Sequence, residues 1–544
     1  MAEQKACEIE PARIDAIFAA FDRCDGPGAA VGISVHGCPA YRKAFGLANA
    51  ELPIALTTST RMRIASMSKH FACLAFMLLV EDGLADAEAA IGTYLPELAP
   101  ATGSVTATQL MGHISGIRDV VDMGWQFGGC GRPVTADALL GIYRWADGAN
   151  APPGERWIYN NGGILLLTRA IERLCGLSLE QFLNQRIFGP AGLHDTMLRR
   201  WDTDFVPNSA ALHMTGASGE YVRSYLGMEL TGDAGVVSTI DDMLRWLAHM
   251  DRPRIGSEAT WRKMLSPLTL NNGFSTNYGL GIVTEVHRGV ELLYHDGGVM
   301  GGSSRMLKAR EYDLDIVVIS NCQDANGPAL ALATLEACLP DLDEEPVDHG
   351  QRRTGIFLSP DTGRALRLFT RDEQQFALVD GFEVPLVAGD NGLLTVQARY
   401  RMLGLSLEVE GADDHPSSIR LQEFGHVDTL VAVPSGNGAD GRQIAGRYRA
   451  REVGAEAQIS ADGGEPILAV TMAFGTEHFA LEPLTDSLWR ARPSGWWPPG
   501  GILAFEEGGS GLSFRFTSSR TRGLRFERVA DVADGLSGEA GACS

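Results

Sequence analysis

Apolar residues at Ile14, Ile17, Phe18 and Phe21, behind Pro11, recur at helical spacing and predict an amphipathic helix over residues 11–23. Gly26-Pro27-Gly28 ends it. Two apolar runs of strand length follow at 29–35 and 41–47, joined by a turn at His36-Gly37-Cys38-Pro39. The unbroken apolar run 71–80 predicts a buried helix that stops at Asp82-Gly83. Helical spacing returns at 164–174 and 179–187, from a cap at Ser238-Thr239 through Met250, and at 328–338. Strands are expected at 278–286, 291–294, 305–309 and 314–320. The second of these ends at His295-Asp296-Gly297-Gly298. Residues 122–131, rich in glycine and aromatics, read as a loop over a cleft.

Past residue 340 the pattern changes. Residues 341–351 are acidic and contain Pro346, as in a linker. Helical periodicity then fades. Short alternating stretches recur at 365–369, 375–379, 393–398, 406–409, 467–472, 488–491, 502–505 and 512–516, separated by turn residues. That is the pattern of all-β barrels or sandwiches. Gly355-Ile356-Phe357 and Gly446-Arg447-Tyr448 each open such a run, and 434–441 separates the two. The expected organisation is a mixed helix-and-strand unit over 1–340, a linker at 341–351, β units at 352–435 and 442–530, and a tail at 531–544.

Composition narrows the partners. With 68 acidic against 46 basic residues the net charge is −22, which argues against nucleic acid and anionic membranes. No apolar run reaches the length of a membrane span, and residues 1–10 carry acids and no signal-peptide core. The nine cysteines are scattered, with no C-x-x-C pair and no Cys/His cluster. A reducing, cytoplasmic setting is expected, with no metal and no cofactor.

The chemistry centres on Arg63-Ile64-Ala65-Ser66-Met67-Ser68-Lys69-His70, just ahead of the buried helix. Ser66 and Lys69 are three apart, so the hydroxyl and the amine share a helix face. The Ser66 N–H at a helix start is a free donor where negative charge is favoured. An alcohol, a base and half an oxyanion hole are what acyl transfer needs. The chain holds five lysines and 41 arginines, and arginine cannot give up its proton, so Lys69 reads as chosen for its amine. Tyr159-Asn160-Asn161 follows the turn Pro152-Pro153-Gly154 and precedes a helix. A tyrosine near a lysine ammonium is expected as phenolate, able to move the Ser66 proton to a leaving amine. Asn161 is expected to orient the lysine or the substrate amide. His295 with Gly297 would place a cation or donor beside backbone that substrate can approach closely, to help bind substrate or polarise the Tyr159 phenol.

Ser-x-x-Lys, Tyr-x-Asn and His-x-Gly, in this order, resemble the penicillin-recognising serine hydrolases, a family of class C β-lactamases, DD-peptidases, esterases and D-aminopeptidases. Arg61 to Ala65, His113-Ile114-Ser115-Gly116-Ile117, Pro153-Gly154 and Tyr278-Gly279-Leu280-Gly281 match the surroundings of those motifs. His-x-Gly in third place and two trailing β units resemble the bacterial D-aminopeptidases in particular. The resemblance implies a multidomain α+β protein: a β-lactamase-like domain with an antiparallel sheet and helices, then two antiparallel, lipocalin-like eight-stranded barrels. It implies Ser66, Lys69, Tyr159 and His295 as catalytic residues, and Asn161 and Gly297 as substrate-binding ones. It implies a small peptide or amide substrate with D- or non-standard residues, and it admits a homodimer. In those enzymes a loop of the last barrel supplies an acid that holds the substrate's free amine. The corresponding loop is read here as 492–500, which has no Asp or Glu but carries Trp496 and Trp497. These are expected to bind an apolar group. A peptidase for linearised cyclic peptides such as linear microcystin, an esterase or β-lactamase, and a non-catalytic penicillin-binding sensor stay open as alternatives.

Overall fold

The computed structural model describes residues 6–128, 133–216, 218–344, 348, 352–389, 393–410, 415–434, 440–461, 464–493, 500–508 and 511–529. Trp496, Trp497, the 531–544 tail and most of 341–351 lie outside them.

The sheet of the first unit joins the two ends of that unit. Its order is Val283–His287, Val290–Val299, Gly302–Ala309, Leu314–Ser320, Ala29–Val35, Cys38–Phe45, with every neighbour antiparallel. Ala29–Val35 pairs with Leu314–Ser320 along its whole length, Ala29 opposite Ser320 and Val35 opposite Leu314. These two strands lack polar alternation because both faces of the sheet are covered. Ala29, Val31, Ile33, Ile316 and Val318 pack with Ile14, Phe18 and Leu335, from helices Pro11–Phe18 and Gly327–Cys338. Ala30, Val317 and Ile319 pack on the other side with Ile240 and Leu244 of helix Ile240–Asp251. Helix Lys69–Glu81 is buried from Lys69 through Leu79, which explains its apolar run. It packs against helix Asn161–Cys175.

Two expectations are corrected. Strand Val290–Val299 does not stop at His295. Its pairing with Gly302–Ala309 runs on to Val299 opposite Gly302, whereas Val283–His287 stops opposite Tyr294. Beyond Tyr294 its outer edge therefore has no described strand beside it. Residues 122–131 are not a loop in their described part: Val120–Gly128 is a helix, buried throughout. Its first turn is held by the Asp119 carboxylate, which accepts from the N–H groups of Val121 and Asp122, both at 3.1 Å. The glycines serve packing: a Cβ on Gly128 would sit 3.0 Å from Phe474.

Beyond residue 354 the chain forms two closed eight-stranded antiparallel barrels, as the resemblance implied, where the alternating stretches alone allowed barrels or sandwiches. Gly355–Leu358 closes the first against His426–Val433, and Gly446–Ala450 closes the second against Leu524–Arg528. Alternation is clean in Ala455–Ser460, whose residues are buried and exposed in turn. Side chains such as Phe357, Leu386, Leu407 and Leu421 fill the first barrel.

The helix that replaces the expected loop docks the second barrel. Phe127, fully buried, puts its ring 5.1 Å from Phe516 and 6.5 Å from Phe526, both edge-on. The cores of the first unit and this barrel thereby become continuous. Phe127→Ala is expected to cost about 3–5 kcal/mol, the usual range for a buried phenylalanine. Limited proteolysis should then release the second barrel early, and a variant as resistant as the parent would remove Phe127 from this role.

Candidate active site

Ser66 lies in a tight turn that its neighbours enforce. Ala65 has φ 48°, a left-handed conformation costly for a residue with a side chain. Ser68 Oγ donates to the Ala65 carbonyl at 2.6 Å and accepts from the Val236 N–H at 3.0 Å. Ser304 Oγ donates to the Ile64 carbonyl at 2.9 Å. A Cβ on Gly297 would sit 2.2 Å from that same carbonyl, so glycine is required for the strand to approach the turn. Ala65–Ser68 is 3₁₀-helical rather than α-helical. In that geometry residues three apart eclipse. Lys69 Nζ accordingly lies 3.0 Å from Ser66 Oγ, and it donates to the Asp233 carbonyl at 2.7 Å. Burial drives the Lys69 pKa down to about 7, against the nearby Asp233.

Tyr159 completes the group. It lines a cavity wall with Ser66, and Lys69 Nζ lies 4.8 Å from its ring centroid. The expected phenolate is not favoured: burial raises the Tyr159 pKa and outweighs Arg520 and the Ser66 hydroxyl, so the resting hydroxyl keeps its proton. Asn161 begins helix Asn161–Cys175, with Asn160 as its cap. Asp119 accepts from the N–H groups of Asn161 at 2.8 Å and Gly162 at 2.9 Å, fixing this helix start beside the Val120–Gly128 helix.

His295 sits behind the tyrosine, with ring centroids 6.5 Å apart. Its Nδ1 bonds the Asp296 carbonyl at 2.6 Å, which places the ring proton there. Nε2 then accepts from the Tyr278 hydroxyl at 2.8 Å. The Tyr278 oxygen bonds His113 Nε2 at 3.2 Å, and His113 Nδ1 accepts from the Asn160 N–H at 3.1 Å. Every member has one role in this chain. Burial lowers the His295 pKa to about 3 and holds the ring neutral. His295, expected as a cation or donor that binds substrate or polarises the phenol, is a buried neutral ring beside Tyr159 with both nitrogens engaged.

These residues open on one cavity of about 460 Å³. Ser66, Tyr159, Asn161, His295 and Gly297 line one part of it. The first barrel contributes Phe382, Tyr400 and Met402, and the second contributes Ser519, Arg520 and Arg522. Residues 518–523 therefore reach the site, whereas Trp496 and Trp497 lie outside the described residues. Asn150 holds this segment through bonds from its Nδ2 to the Arg520 carbonyl and from the Arg522 N–H to its Oδ1, at 2.8 and 2.9 Å. Arg118 donates to Glu452 and to the Arg522 carbonyl, both at 2.6 Å. Asp119, Tyr278 and Arg520 were not singled out from the sequence as site residues. Only the arginine pair in Ser518-Ser519-Arg520-Thr521-Arg522-Gly523 offered a signal there. Among the described residues no group of three His, Cys, Asp or Glu is placed to hold a metal ion, and no helix is long and apolar enough to cross a membrane.

Known proteins are similar to this chain in sequence or in fold. A D-aminopeptidase of Brucella canis is 28% identical over 488 residues, 87% of this chain and 88% of its own. The octameric penicillin-binding protein homologue from Pyrococcus abyssi superposes with a TM-score of 0.56 at 19% identity, covering 95% of this chain and all of its own. The D-amino acid amidase from Ochrobactrum anthropi SV3, complexed with D-phenylalanine, gives 0.52 at 22% identity over 60% of this chain and 98% of its own. The Beta-lactamase family model matches residues 14–339, the whole sheet and every residue of the Ser66 turn, and the chain belongs to that family.

Proposed function

We propose that this protein is a serine amidohydrolase that cleaves small peptides or amides containing D- or otherwise non-standard residues, through an ester on Ser66. The observation that carries the reading is the buried Lys69 amine 3.0 Å from Ser66 Oγ, at the wall of the shared cavity. Neutral Lys69 takes the Ser66 proton as Oγ attacks the amide carbonyl. The oxyanion is held by the Ser66 N–H and a backbone N–H just beyond Gly297, on the strand edge left open past Tyr294. Tyr159, still protonated, gives its proton to the leaving nitrogen and recovers it from Lys69. The C–N bond breaks and the amine departs. Water then attacks the ester, gives a proton back through Lys69, and frees Ser66 and the acid product.

The D-residue preference is supported by the D-aminopeptidase and D-amino acid amidase among the similar proteins. Phe382, Tyr400, Met402 and Trp157 line the cavity, which suits an apolar side chain. A free α-amine is selected weakly. The lining acids Asp296, Asp380 and Glu423 are each paired with an arginine. The test is hydrolysis of N-acetyl-D- and N-acetyl-L-phenylalanine p-nitroanilides by the full chain. The D form is expected to be preferred by about tenfold or more in kcat/KM, the order that one differently filled pocket sustains. Equal rates, or preference for the L form, would overturn the stereochemical part. Turnover of neither, with no labelling by a fluorophosphonate, would overturn the reading as a whole.

A further inference from the structure

The cavity carries a cation where selection of an amine would need an acid. Arg520 enters it on the 518–523 segment of the second barrel, with its side chain 25% exposed. Its guanidinium carbon lies 5.0 Å from the Tyr159 ring centroid, and Tyr159 and Ser66 line the same cavity. A guanidinium has five N–H donors in a planar fork. One of them, on Nη1, reaches Asp122 Oδ1 at 3.1 Å. The other lining arginines are more fully committed. Arg364 bonds Asp380 through two nitrogens and Glu423 through a third, and Arg522 pairs with Asp380 and Glu423.

We propose that Arg520 is an anion-binding residue of the cleft, and that the preferred substrates carry a carboxylate within about one or two residues of the scissile bond, given ~3.3–3.6 Å of reach per extended residue. This rests on the Ser66 reading above and specifies its substrate class. An arginine and a carboxylate meet through two parallel N–H···O bonds, which fix orientation as well as charge. The cavity that Arg520, Tyr159 and Ser66 share sets the spacing, because the carboxylate must reach Arg520 while the carbonyl sits on Ser66. Asp122 is the built-in competitor for the same fork. Burial raises its pKa to about 6, against the pull of Arg520, so its charge is held less firmly than that of an exposed acid.

Three p-nitroanilides of D-phenylalanine, with a free amine, an N-acetyl group or an N-succinyl group, differ only at the position that would meet Arg520. The full chain should favour succinyl over acetyl by about tenfold or more in kcat/KM, and the free amine should rank last. Arg520→Gln should bring the succinyl-to-acetyl ratio to near one, while Arg520→Lys should keep part of it. The ratio cancels any effect of Arg520 on Tyr159 or on barrel docking, which all three substrates share. If Arg520→Gln does not fold, Asp122→Asn is read instead, and the ratio should rise as the fork loses its competitor. A ratio of one in the parent, or one unchanged by these substitutions, would overturn the proposal. Binding of N-succinyl- and N-acetyl-D-phenylalanine amide to the full-length Ser66→Ala protein, by calorimetry, separates the two readings. Charge-selective binding without turnover in the parent sinks only the acylation reading. Turnover without charge-selective binding sinks the role of Arg520.

Discussion

Ser66→Ala is expected to abolish turnover and fluorophosphonate labelling while leaving the melting temperature unchanged. Loss of the group that forms the covalent bond should lower kcat by roughly 10⁴ or more. The fold should not notice, because the turn does not depend on the Ser66 hydroxyl. Its shape is set by Ser68 Oγ on the Ala65 carbonyl, Ser304 Oγ on the Ile64 carbonyl, and the Met67 N–H on that same Ile64 carbonyl. The hydroxyl of Ser66 reaches the cavity and meets Lys69. Removing it also relieves the buried Lys69 of one polar neighbour but leaves its bond to the Asp233 carbonyl. A variant that retains a tenth of the parent activity with a clean fold would remove Ser66 from the nucleophile role.

What was legible in the sequence, and what was not, follows from how local each feature is. Ser66 and Lys69 are three residues apart, so any helical turn brings them together, and the pattern was readable without tertiary information. The two β units were readable because alternation of period two is a local signal, clean in Ala455–Ser460, whereas their closure into barrels came only from the resemblance. The helix Val120–Gly128 was not. Its glycines and aromatics oppose a helix by propensity, and what sustains it is tertiary: the Asp119 carboxylate at its start and Phe474, Phe516 and Phe526 from a barrel more than 300 residues away in sequence. The extension of Val290–Val299 past His295 was missed for a similar reason. A His-Asp-Gly-Gly run looks like an ending, but the ladder to Gly302–Ala309 continues through it. His295 was found by its motif, but the Tyr278 and Asp296 bonds that occupy its nitrogens appear only in three dimensions. For Arg520 the sequence offered only the arginine pair of its loop. Its place beside Tyr159 depends on docking of the second barrel, through Phe127 and through bonds to Asn150.

Lys69→Arg should be almost as damaging as Lys69→Ala, at roughly 10²–10⁴ below the parent in kcat/KM, the range for loss of a general base. Both side chains are cations in water, so a purely electrostatic role would let arginine serve. The site asks for something else. Lys69 is fully buried, and burial brings its pKa to about 7, so near neutrality a large share of the amine is uncharged. Arginine cannot lose its proton at any working pH and brings a wider planar head into a space without room for it. The pH profile gives the second readout. Below pH 7 Lys69 holds a proton and has no lone pair for the Ser66 hydroxyl; above it the neutral amine is the base. In the parent, kcat/KM should therefore rise with pH through about 7 and level off above it. His295, held at about 3, does not titrate in this window, and Asp122 at about 6 is the other group close enough to shape the limb. Asp122→Asn should leave the limb near 7 in place, whereas Lys69→Arg should leave a low residual rate without it. If Lys69→Arg retained most of the activity, or if its residual rate still rose through pH 7, the proton would be going to another group, and Lys69 would be an electrostatic support for the Ser66 oxygen.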